Sequence, residues 1–133
     1  MNPDEIRADF LFRYGTPRSE AVEAGRVRDF LLAMDEPDPL ASGGPVPSLF
    51  LLTLARTRRP QPAKGTSVNA GDEFEFIATV FVGDRITIER RLCEIEKKKG
   101  RHGDMYLLRS EATYVNQRGK LVARAKSTSL RWE

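Results

Sequence analysis

Apolar and polar positions alternate with two different periods along the chain, helical in the first third and strand-like in the second half. Ile6, Phe10, Leu11 and Tyr14 recur at helical spacing. Asn2 supplies an N-cap ahead of Pro3 at the first helical position, Asp4 and Glu5 suit the positive end of the helix dipole, and Gly15 can end the helix. Ser19 to Glu23 reads as a short strand, and Val27, Phe30, Leu31 and Met34 carry a second helix over Ala24 to Met34, which Pro37 and Pro39 stop. Asp35 to Pro47 holds four prolines and two glycines and reads as a loop. Ser48 to Arg58 is apolar nearly all round, which predicts a long buried helix with Pro47 at its start.

The second half reads as strands. Phe74, Phe76, Ala78, Val80 and Val82 share one parity, predicting a half-buried strand over Glu73 to Val82, and Gly83-Asp84 makes a turn, with Asp84 capping local backbone. Arg85 to Glu96 alternates through Ile86 and Ile88 and then shifts phase toward Ile95, which a β-bulge explains. Lys97 to Gly103 is predicted as a hairpin connection, Met105 to Val115 as the return strand, Asn116 to Gly119 as a tight turn and Lys120 to Trp132 as the last strand. The expected fold class is α+β, an antiparallel sheet wrapped around a long central helix. A hot-dog fold fits this pattern, and a cystatin-like or other helix-on-sheet fold fits it about as well.

Composition narrows the functional classes. With 133 residues and 40% hydrophobic content, one core and one domain over residues 1–133 are expected. Charged residues reach 31% but the net charge is only +3, which argues against a nucleic-acid partner. Apolar runs are far shorter than a bilayer span, and Met1 to Glu5 is acidic where a signal peptide is basic, so a cytoplasmic protein without a membrane partner is expected. Cys93 is the single cysteine, without a CxxC or Cys/His cluster, so no disulfide or metal site is expected.

Several words in the sequence resemble the N-terminal hot-dog domain of MaoC-like hydratases and fatty-synthase-type dehydratases. They are Val22-Glu-Ala-Gly-Arg-Val-Arg-Asp-Phe30, Pro45-Val-Pro-Ser-Leu-Phe50, Gly83-Asp-Arg-Ile-Thr87, Glu94-Ile-Glu-Lys-Lys-Lys-Gly-Arg-His-Gly103 and Tyr114-Val-Asn-Gln-Arg-Gly-Lys-Leu-Val-Ala123. The resemblance implies reversible hydration of enoyl thioesters by a catalytic Asp/His pair in a pattern close to Asp-x-Asn-Pro-x-His. Such a pair positions one water and moves one proton while the thioester oxygen is polarised. The matching positions here read Glu36-Pro37-Asp38-Pro39-Leu40-Ala41, so Glu36 stands at the aspartate position and Ala41, which cannot move a proton, at the histidine position. Pro45 and Pro47 have no N–H to offer an oxyanion.

The resemblance therefore implies a non-catalytic hot-dog subunit of a heteromeric enoyl-CoA hydratase or 3-hydroxyacyl dehydratase. It would complete the acyl-CoA site of an Asp/His-bearing partner, with no cofactor beyond the CoA thioester as substrate. Phe50, Leu51 and Leu54 are candidates to line an acyl tunnel, with plain core the safer reading; Lys97, Lys98, Lys99 and Arg101 are candidates to meet CoA phosphates and are equally a solvated hairpin tip. His102, the only histidine, reads as a solvated loop residue among these cations, and Arg56, Arg58, Arg59 and Lys64 as expected near a helix C-terminus. Phe81, Tyr106 and Trp132 are candidate interface aromatics. Two other readings stay open: a homo-oligomeric acyl-CoA thioesterase using Glu36 or Asp38, and a non-enzymatic acyl-carrier-binding module.

Overall fold

The computed structural model describes residues 1–36, 45–54, 65–101 and 103–133. Helix α1 (Pro3–Tyr14) forms where its cap predicts, with Asn2 Oδ1 accepting the Glu5 N–H at 2.9 Å. Only its Ile6 is fully buried, against Tyr106 and Leu108, with Met1, Leu92 and Ile95 alongside. After strand β1 (Arg18–Ala21), helix α2 (Ala24–Ala33) buries Val27 and Leu31. It ends in a paired closing turn, with the Glu36 N–H donating to the Leu31 carbonyl at 3.0 Å and Asp35 N–H to that of Leu32 at 3.2 Å. Asp35 takes the left-handed conformation this turn requires, φ 53°, a role that aspartate tolerates better than most side chains with a Cβ. The helix thus stops on its own hydrogen bonds; Pro37 and Pro39 lie outside the described residues.

The long helix expected from Ser48 is a correction. In its place stands a 3₁₀ segment, Ser48–Thr53, and Leu54 is already extended. Two local bonds account for the early stop: the Thr53 hydroxyl donates back to the Phe50 carbonyl at 2.8 Å, and the Arg26 guanidinium takes the Thr53 carbonyl at 3.4 Å. An apolar run predicts burial without predicting length of helix, and burial is what survives: Phe50, Leu51 and Leu54 are all in the core.

One antiparallel sheet receives the helices on one face. Its strands are β2 (Thr66–Phe76), β3 (Arg85–Gly100), β4 (Gly103–Val115) and β5 (Leu121–Trp132), in the order β1-β3-β4-β5-β2. The bulge inferred from the shifted phase of β3 sits at Cys93, between the Leu92–Ser110 and Glu94–Arg109 pairs. Two strand boundaries differ from expectation. Lys97, Lys98 and Lys99 belong to the β3 ladder, opposite Tyr106, Met105 and Asp104, so the turn is far tighter than a seven-residue connection, and Gly103 supplies the positive φ it needs. β2 ends at Phe76, because the Ile77 and Ala78 N–H groups both reach the Val122 carbonyl and break the alternation, while Val80 makes an isolated bridge to Val46. Nor is β2 half-buried: it pairs only with β5 at the end of the sheet, and every one of its residues is exposed.

Register divides the inward face in two. At one end Ile88, Tyr114 and Ala123, then Ala112 and Ala125, form the floor under α2 and the 3₁₀ segment. Further along the same parity the rows become polar: Ser110 opposite Ser127, Leu108 opposite Ser129, Tyr106 opposite Arg131. α1 covers this far end.

Candidate functional site

Glu36 is exposed at the end of α2, its backbone fixed by the closing turn. Ala41, Asp38 and His102, with Arg56, Arg58, Arg59 and Lys64, lie outside the described residues. Phe50 is in edge-to-face contact with Phe30, ring centroids 5.8 Å apart, with Arg26 6.0 Å from its ring, and Leu54 is buried in the same cluster. The Val46 N–H, between the two prolines, is taken by the Val80 carbonyl at 2.8 Å. Of the basic hairpin, Lys97 pairs with Asp104 at 3.3 Å and Lys98 with Glu96 at 4.0 Å, while Lys99 and Arg101 are exposed. Asp84 caps as expected, accepting the Phe81 N–H at 2.9 Å, and its other oxygen accepts from Gln117 at 2.9 Å. Tyr106 is buried and donates to the Met1 carbonyl at 3.2 Å, which corrects its assignment to an interface; Phe81 is exposed and Trp132 half-buried.

A polar cleft of about 400 Å³ opens between α1 and the far half of the inward sheet face. Asp9, Arg13 and Tyr14 come from α1, Arg90 from β3, and Ser110, Ser127, Ser129 and Arg131 from β4 and β5. Asp9 bridges two cations, Arg131 at 2.9 Å and Arg13 at 3.1 Å. Arg131 is only 8% exposed, and its Nε has no hydrogen-bond partner among the described residues. Asp72 accepts from Ser127 at 2.5 Å and Asn69 at 2.7 Å, so its charge is held by neutral donors. Arg90 lies 5.6 Å from the Tyr14 ring and hydrogen-bonds the Tyr114 side chain.

These residues escaped the sequence reading, although a signal was there. Ser110 stands between the inward Leu108 and Ala112, and Ser127 and Ser129 continue the parity of Ala123 and Ala125. Hydroxyls on an inward parity mark a cavity or a partner group. The opposite face of the sheet is a ladder of surface ion pairs, with Arg109 on Glu94 at 2.7 Å and Arg124 on Glu111 at 3.1 Å. The hydrogen bond that Arg109 donates to Glu94 raises the Arg109 pKa, which keeps an already charged group charged. Exposed pairs of this kind add little stability.

Burial pushes the Tyr114 phenol above its ordinary value, and the Arg90 guanidinium pulls weakly the other way. Since the folded state holds this proton more tightly, the associated stability is complete below about pH 10 and is lost as pH rises through the raised value. Tyr114→Phe should flatten the alkaline fall of the melting temperature relative to the parent chain. An unchanged alkaline slope would place the titration elsewhere.

Among the described residues no group of His, Cys, Asp and Glu is arranged to hold a metal ion, and no helix is long and apolar enough to cross a membrane. A family model described as the FAS1-like dehydratase domain region matches residues 12–125. No curated protein matches the sequence. Among solved structures, the chain is similar to the ChsH1-ChsH2 complex from Mycobacterium tuberculosis, with TM-score 0.69 and 15% identity over 97% of this chain and 90% of that one. It is also similar to the MaoC-like dehydratase from Rhodospirillum rubrum, with TM-score 0.67 and 18% identity over 87% and 88%. The HadBC 3R-hydroxyacyl-ACP dehydratase complex from Mycobacterium tuberculosis gives TM-score 0.65 and 20% identity over 86% and 91%. The fold is the hot-dog fold, reached by neighbours too distant in sequence to carry more than architecture. With the family model spanning most of the residues and the strand order and register in place, the chain belongs to the FAS1-like dehydratase-region family, as a MaoC-like hot-dog domain.

Proposed function

We propose that this chain is the non-catalytic unit of a heteromeric enoyl-thioester hydratase or 3-hydroxyacyl dehydratase, working beside a second hot-dog unit that carries the Asp/His pair. The observation that carries the reading is Ala41, which stands at the histidine position of the family's pattern and has no proton to give or take. Local geometry supports it: the Val46 N–H is already bonded, and Pro45 and Pro47 supply none, so this backbone offers no oxyanion donor there.

A partner has a surface to meet. β2 ends the sheet with its outer edge open, and Phe74 and Phe76 stack side by side with centroids 6.4 Å apart. An open edge with exposed aromatics favours pairing with another strand. Two of the similar structures, ChsH1-ChsH2 and HadBC, are complexes. In this reading Lys99 and Arg101, exposed and without a carboxylate partner among the described residues, would receive CoA phosphates.

The test is hydration of an enoyl-CoA panel by the chain alone, by an Asp/His-bearing hot-dog protein alone, and by the two mixed, with thiol release read in the same reactions. Hydration that rises only on mixing is expected. Hydration by this chain alone would mean that a residue other than Ala41 supplies the proton. Thiol release by this chain alone would make it a thioesterase, with Glu36 or Asp38 as the carboxylate that activates water.

A further inference from the structure

We propose that the cleft beneath α1 is a binding site for a single carboxylate on a small, oxygen-bearing organic acid, with Arg90 as its cation. This deepens the function proposed above and rests on it for one identification, that the acid is the far end of the acyl group in the thioester.

Arg90 carries the argument. It lies on the inward parity of β3, between Ile88 and Leu92 and opposite Ala112, where an aliphatic side chain would serve the core. Arg90 is half-buried there, and a guanidinium partly withdrawn from water is best stabilised by a charged or strongly polar partner. Among the described residues Arg90 has no carboxylate; its contacts are the Tyr14 ring and the Tyr114 side chain. Those contacts orient the group and leave its charge unneutralised.

Charge selects the ligand. Arg13, Arg90 and Arg131 line the cleft against Asp9 and Asp72, which leaves one positive charge in excess. Arg13 and Arg131 already share Asp9, whereas Arg90 meets no carboxylate among the described residues, so Arg90 is the cation left for a ligand. A single carboxylate balances it and fits the guanidinium fork. The several charges of the CoA nucleotide would meet two aspartates in the same space. Ser110 and Ser129 face the same opening and offer hydroxyls to a ligand with oxygens of its own, while 400 Å³ admits a small molecule.

The test is calorimetric and ligand-observed NMR titration of the intact chain with glutarate, its dimethyl ester, inorganic phosphate and ADP. Glutarate should bind, the ester should not, and Arg90→Gln should weaken glutarate by about tenfold or more, the size of a lost charge-assisted hydrogen bond. Arg118→Gln, in an exposed turn, is the charge control. Should Arg90→Gln fail to fold, Ser110→Val, which fills the cleft without touching its charges, should likewise block binding. Phosphate or ADP binding without glutarate would overturn the carboxylate assignment. No binding of any probe, or glutarate binding unchanged in the folded variants, would overturn the site. Because no enoyl thioester or partner is present, failure here is distinguishable from failure of the hydration assay.

Discussion

Phe50→Ala should lower the unfolding free energy by about 3–5 kcal/mol, the range for removing a fully buried phenylalanine. Phe50 is 1% exposed and joins the 3₁₀ segment to α2 through Phe30 and Arg26. Its neighbour Leu49 is 48% exposed, and Leu49→Ala should cost no more than about 0.5 kcal/mol. Urea unfolding read at constant m-value checks both. Equal losses at the two positions would mean that the segment does not present Phe50 inward as described.

Replacing Phe74 and Phe76 together by lysine should weaken association with the proposed catalytic partner by a factor of about 100 or more. Two central aromatic anchors lost at about 2 kcal/mol each, with 1.4 kcal/mol per tenfold, would exceed that factor even if their effects overlap. Both side chains are well exposed, 41% and 38%, so the chain itself should keep its circular dichroism and melting temperature. Sedimentation of mixed subunits reads the loss. Undiminished association of a folded double variant would move the interface away from β2, and reduced hydration in the mixed assay should track the loss of complex.

The Asn2-Pro3 cap, the Cys93 bulge and the β3-β4-β5 meander follow from local rules that act within a few residues, which is why alternation and capping chemistry reveal them. β2 was harder to read. Its first half, Thr66 to Asp72, has only Val68 and Ala70 as apolar residues before Gly71 interrupts it, too short an alternation to mark a strand, and it is held as one by long-range pairing with β5. The apolar parity that runs from Phe74 to Val82 continues past the point where Ile77 and Ala78 leave the ladder, because burial of Val80 depends on Val46 rather than on a strand neighbour. The 3₁₀ segment has the same cause: the core needs its side chains, and local bonds from Thr53 decide how far the helix runs. For the site, Ala41 is legible only through resemblance to a family pattern, whereas the cleft could be read only after α1 had been placed over the serines of β4 and β5.

The bulge at Cys93 makes β3 unequal in its tolerance of changes in length. Ile88, Arg90 and Leu92 pair inward before it and Ile95 and Lys97 after it, so the extra residue absorbs one position without exchanging inside for outside. Loss of that one residue would restore plain alternation with the same side chains facing the core. A deletion at Glu89, four residues earlier, would set either Ile88 or the arginine of the cleft on the wrong side. The strand can therefore shorten by one at a single place, and it is the place where its only cysteine stands.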